Sequence, residues 1–152
     1  MKAALDSNVL LYWLRYARNP QDEEKVASAR AFIPKLRTRS EVVVPWQVLG
    51  EAYNVLTRSQ MPRTAARTLV QSASMAFETL SPGATSYYDA LDLAADHKLQ
   101  VWDALIIRIA AEADCALLLS EDMQDGFTVG GLTVANPFAA VLHPRLAALL
   151  NL

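Results

Sequence analysis

The chain has 152 residues, 53% hydrophobic and 20% charged, which is ordinary usage for one globular domain spanning residues 1–152. A single cysteine, Cys115, excludes a disulfide framework and a thiolate zinc site; no apolar run approaches the roughly 20 residues of a membrane helix, and Asp6 interrupts any signal-peptide core, so the sequence predicts a soluble, cytoplasmic protein. The net charge of −2 hides an asymmetry: residues 1–76 hold 11 Lys and Arg against 6 Asp and Glu, and residues 77–152 hold 3 against 10. A basic half beside an acidic half fits phosphate binding next to cation binding, although solvated helix faces account for any single charge.

Lys2–Leu5 reads as a short buried strand. Asp6-Ser7-Asn8 supplies cap-type residues for a helix through Leu14. Gln21–Leu36 is a second helix, with Asp22, Glu23 and Glu24 in its first turn. Glu41–Pro45 is a β-branched strand stopped by proline, and Trp46–Ser59 is helical. Pro62 separates it from a helix over Arg63–Met75. Phe77–Leu80 is a third strand, followed by a helix over Thr85–His97. Trp102–Ala113 is apolar almost all round and so is a central, buried helix. Ala116–Ser120 is a fourth strand, Leu132–Val134 a last short one after the Gly130-Gly131 turn, and Pro144–Asn151 a closing helix. Strands that alternate with helices and read as continuous apolar runs predict an α/β fold with a parallel sheet covered on both faces. Ligands of such sheets bind at the carboxyl ends of the strands.

Two strands run directly into acids, the first into Asp6 and the fourth into Ser120-Glu121-Asp122. Each acid alone reads as a helix cap or turn former, and a lone acid in the place of Asp6 is more often a cap than a ligand. Glu51 shares a helix face with Val48 and Val55, where a carboxylate is costly without a partner; at the margin of that stripe it would reach water instead. Asp103 opens the buried helix, as a first-turn acid or as a group facing the strand edge. Four carboxylates converging on one cleft repel one another unless a cation joins them. All-oxygen donors favour Mg²⁺ or Mn²⁺ over zinc, and such a metal supports hydrolytic attack at phosphorus.

These segments resemble the PIN-domain nucleases, in particular the VapC-type toxin ribonucleases of bacterial toxin–antitoxin pairs. The resemblance rests on Leu5-Asp6-Ser7-Asn8-Val9-Leu10, on Glu51, on Trp102-Asp103-Ala104-Leu105-Ile106, and on the run from Leu119 to Gly126. It implies a three-layer α/β/α fold and Mg²⁺-dependent cleavage of RNA. It implies that Asp6, Glu51, Asp103 and Asp122 are the catalytic, metal-binding acids. Asn8 and Ser120 match positions that steady such a site, and Asp125 either joins Asp122 or shapes the loop. The resemblance further implies a homodimer and a small antitoxin partner. Tyr12, Trp13, Leu14, Trp46 and Tyr53 are large side chains for an interface or for the core.

Arg58, Arg63 and Arg67, with Arg15 and Arg18, are candidate phosphate contacts. His97 and His143 stand alone, so no Ser-His-Asp triad is present, and no glycine-rich nucleotide loop occurs. A signalling receiver domain also gathers acids at strand ends, but it needs adjacent acids after the first strand and a late lysine, and no lysine follows Lys98. A non-cleaving RNA-binding module on the same fold, and a related nuclease or phosphatase with DNA or nucleotide substrates, are the other readings.

Overall fold

The computed structural model of the chain describes residues 1–152. Six strands form one sheet: β1 (Lys2–Leu5), β2 (Glu41–Pro45), β3 (Glu78–Leu80), β4 (Cys115–Leu119), β5 (Thr128–Val129) and β6 (Leu132–Ala135). Their order is β3-β2-β1-β4-β6-β5. Every pairing is parallel except β5 with β6, which is antiparallel. Seven helices flank the sheet: α1 (Ser7–Trp13), α2 (Glu23–Arg37), α3 (Trp46–Arg58), α4 (Arg63–Ala76), α5 (Ser86–His97), α6 (Val101–Glu112) and α7 (Pro144–Leu150). None is long and apolar enough to cross a membrane.

The central strands are apolar on both faces because helices cover both. Ala3, Ala4 and Leu5 of β1 and Leu117, Leu118 and Leu119 of β4 are fully buried. Amphipathic α3 buries Val48, Leu49, Ala52 and Leu56. The run from Ala104 to Ile107, with Ile109 and Ala110, is buried in α6, where each large aliphatic contributes about 1.5–3 kcal/mol by leaving water. The thiol of Cys115 lies in this core, and burial pushes its pKa up to about 11.

Three features depart from the sequence reading. The sheet is mostly rather than wholly parallel, since Thr128–Val129 pairs with Leu132–Thr133 through a Gly130-Gly131 turn, with Gly130 at φ +57°. A 3₁₀ turn over Pro20–Asp22 precedes α2, where the expectation was a helix from Gln21. Phe77 closes α4 as its C-cap and the third strand starts at Glu78.

Candidate active site

The connections leave β1 and β4 in opposite directions, towards β2 and β3 on one side and towards β6 and β5 on the other. A crevice opens at the carboxyl ends of two strands so arranged. Parallel pairing carries Leu5 opposite Leu119, and the Asp6 amide donates to the Leu119 carbonyl at 2.9 Å. The next residues in register, Asp6 and Ser120, therefore meet. The Ser120 hydroxyl donates to Asp6 Oδ2 at 2.7 Å, and the Ser7 amide donates to Asp6 Oδ1 at 2.7 Å. Asp6 is thus both the N-cap of α1 and a buried acid at the crevice, only 4% exposed. Ser120 is wholly buried and also accepts from the Met123 amide at 3.2 Å, which ties down the turn after β4.

The other three acids reach the same place from separate elements. A cleft of about 680 Å³ is lined by Asp6, Glu51, Asp103 and Asp122 together with Ser7, Asn8 and Trp102. Arg18, Arg58 and the amides of Gln47, Asn54 and Gln100 complete its polar lining. Glu51 comes from the middle of α3. Asp103 sits in the first turn of α6, whose N-cap is Gln100 without a side-chain cap bond, so Asp103 lines the cleft without capping the helix. Asp122 is exposed at the mouth and accepts a short hydrogen bond from the Asn8 amide group. Arg18 reaches the other end of that amide, Asn8 Oδ1, at 3.5 Å.

The charges of the four acids are linked. Burial first, and then the charges of Glu51 and Asp103, raise the pKa of Asp6 to about 6, against the opposing hydrogen bonds from Ser120 and Ser7. Glu51 is pushed up by burial and by Asp103, while hydrogen bonds from Ser7 and Gln47 oppose the shift. Asp103 is pushed up by burial and by Asp122. Asp6, Glu51 and Asp103 are each destabilised by at least one other acid of the cleft, and the only cations lining the cleft are the two arginines. As the side chains stand, no three acid, histidine or cysteine groups converge closely enough to hold one ion. The donor set is nevertheless wholly oxygen, and a cation would relieve the mutual repulsion.

Neighbouring candidates lie elsewhere. Glu121 turns away from the cleft; Lys25 Nζ donates to its Oε1 at 2.9 Å and the Tyr12 hydroxyl at 3.3 Å. Asp125 accepts from the Asn136 amide at 2.8 Å and shapes the loop before β5, away from the cleft lining. Arg15, Arg63 and Arg67 are exposed and do not line the cleft. His97 packs edge-on against Phe127, and His143 caps α7. Of the five large side chains offered for an interface, Tyr12 packs against Phe138, Trp13 packs against Phe77, and Leu14 and Tyr53 pack on the core. Only Trp46, 51% exposed, is left on the surface. The cleft holds no lysine, which removes the basis of a receiver-type site. Sequence reasoning missed Gln47, Asn54, Gln100 and Trp102 as lining residues. Trp102 was within reach, because an aromatic directly before Asp103 at the start of α6 shares its end of the helix.

The PIN domain family model matches residues 3–125. No curated protein matches the chain in sequence. Among solved structures, a chain of VapBC2 from Rickettsia felis, bound to a promoter DNA fragment, superposes with a TM-score of 0.69 at 14% identity, covering 90% of this chain and 98% of that one. VapC20 of Mycobacterium tuberculosis, described as a toxin that cleaves the sarcin-ricin loop, gives 0.61 at 16% identity over 79% and 89%. A chain of a toxin–antitoxin complex from Klebsiella pneumoniae gives 0.59 at 16% identity over 90% and 98%.

Proposed function

This chain belongs to the PIN-domain family, and from that premise we propose that it is a Mg²⁺-dependent endoribonuclease, the toxin of a toxin–antitoxin pair. The observation that carries this reading is the electrostatic linkage of Asp6, Glu51, Asp103 and Asp122 around one polar cleft at the switch point of the sheet. Three of them, Asp6, Glu51 and Asp103, are set there at a cost to their charged forms, which calls for a functional return. The structural likeness to toxins of VapBC-type complexes supports the toxin role and the small antitoxin partner. A homodimer is part of the same reading, with Trp46 as an apolar residue on the free surface.

Asp6, Glu51, Asp103 and Asp122 would hold Mg²⁺, with Mn²⁺ as a substitute. The bound ion supplies Lewis-acid stabilisation of the phosphate and a water of lowered pKa. The protein's own part is orientation. Ser120 and the Ser7 amide fix both oxygens of Asp6. Asn8 fixes Asp122. Arg18 and Arg58 line the cleft as phosphate contacts. The cleft holds no histidine or cysteine, so its serine, Ser7, has no imidazole beside it to serve as base.

The test is cleavage of total cellular RNA by purified, partner-free protein. It is run with Mg²⁺, with EDTA, and with Asp103→Asn. Cleavage that needs both the ion and Asp103 is expected. RNA that stays bound but uncut across several RNA classes would replace the nuclease with a binding module.

A further inference from the structure

We propose that the indole of Trp102, backed by Tyr87, is the platform on which an unpaired base of the substrate stacks beside the acid cleft. The proposal rests on the RNA reading above and adds the form of RNA that the site takes. Trp102 is the second residue of α6 and lines the cleft immediately before Asp103. It remains 43% exposed. The Tyr87 ring of α5 lies 6.3 Å away, tilted by 39°, and is itself 45% exposed. The two rings form an aromatic strip that begins at Trp102 in the cleft lining and continues to Tyr87 in the first turn of α5.

Two adjacent half-exposed aromatic rings beside a polar cleft form an apolar patch of the kind that marks a binding surface. What covers it is constrained by the surroundings. The same cleft carries Arg18 and Arg58, and the amides of Gln47, Asn54 and Gln100. An apolar protein segment would strand those groups. A nucleotide suits both halves, with a flat apolar face for the indole and a charged phosphate for the arginines. Stacking needs only a free π-face, so it selects an unpaired base over a paired one and tolerates sequence.

The experiment uses the full chain carrying Asp103→Asn, with Mg²⁺ present, so that RNA is held and not cut. Three probes of ten nucleotides are compared: single-stranded oligoadenylate, an abasic ribose-phosphate strand of equal charge, and an RNA duplex. The base-bearing single strand is expected to bind about tenfold tighter than the other two. Trp102→Ala should erase that preference and leave abasic binding unchanged. Trp102→Phe should retain most of it, and all three proteins should remain fully folded at the assay temperature, as thermal unfolding checks. Base preference that survives Trp102→Ala overturns the proposal. So does wild-type cleavage of total RNA by a Trp102→Ala protein that keeps Asp103. Unchanged RNA handling with a loss of self-association on sedimentation would give the strip to a protein contact instead, and would also overturn it. A wild-type protein that neither binds any probe nor cuts total RNA overturns the RNA reading itself, and the stacking proposal falls with it.

Discussion

The hydroxyl of Ser120 donates to Asp6 Oδ2 at 2.7 Å, so the residue after β4 holds the residue after β1. That bond opposes the rise in the Asp6 pKa and therefore favours the charged carboxylate. Ser120→Ala should raise the Asp6 pKa further. The loss of a hydrogen bond to a charged group costs about 1.5–3 kcal/mol, against about 1 kcal/mol for a neutral pair. The variant should therefore lose more stability at pH 7.5 than at pH 4.5. Urea midpoints at the two pH values check this, and an equal loss at both would show that Ser120 does not act on the charged form.

Asp6→Asn should abolish cleavage and yet stabilise the metal-free protein. The folded pKa is about 6 and the ordinary value 3.8. Between those values the folded chain keeps a proton that the unfolded chain has shed, so stability falls as pH rises through the window. Above pH 6 the full cost applies, about 3 kcal/mol for two units of pKa. Asparagine caps α1 as well as aspartate does. The gain should thus be present at pH 7.5 and absent near pH 4. Chemical denaturation of both proteins in EDTA measures it, and a destabilised variant at pH 7.5 would contradict the buried, charged state of Asp6.

The strands that place Asp6 and Ser120 were legible in the sequence because Ala3-Ala4-Leu5 and Leu117-Leu118-Leu119 are short apolar runs that end in polar residues. Glu51 stood out for the opposite reason, as a carboxylate on an apolar stripe of α3. What was not legible depends on contacts distant in the chain. The pairing of Thr128–Val129 is two residues long and gains its register only from β6. Glu121 and Asp122 look equivalent in sequence, and only the packing of Lys25 and Tyr12 separates them. The sequence does not decide between site and loop for Asp125, for the same reason, and its carboxylate accepts from the Asn136 amide in the loop. Sheet order, which creates the crevice, follows from no local pattern.

Mg²⁺ should stabilise the folded chain, and the effect should depend on pH. An ion bound at ten times its Kd adds about 1.4 kcal/mol, or roughly 3–6 °C in Tm for a chain of this size. Below about pH 5, Asp6 holds its proton and cannot act as an anionic donor. The shift should therefore be seen at pH 7.5, shrink at pH 5, vanish with EDTA and be absent in Asp6→Asn. Thermal unfolding with and without 10-fold excess metal over the observed Kd tests it; an identical shift in Asp6→Asn would place the ion elsewhere.

Glu121 and Asp122 are adjacent and should fail in opposite ways. Glu121 is partly buried against Lys25 and Tyr12, and its Oε2 has no partner. Glu121→Gln weakens the contact with Lys25, for a loss of about 1 kcal/mol once solvent screening is allowed for. Its side chain does not line the acid cleft, so cleavage should stay near the wild-type rate. Asp122 is exposed, and Asp122→Asn should change stability by no more than about 0.5 kcal/mol. It nonetheless lines the cleft and raises the pKa of Asp103, so cleavage should fall about tenfold or more. Parallel measurements of Tm and initial cleavage rate on the two variants separate the roles. A Glu121→Gln protein that is stable but inactive would move the fourth acid of the site from Asp122 to Glu121.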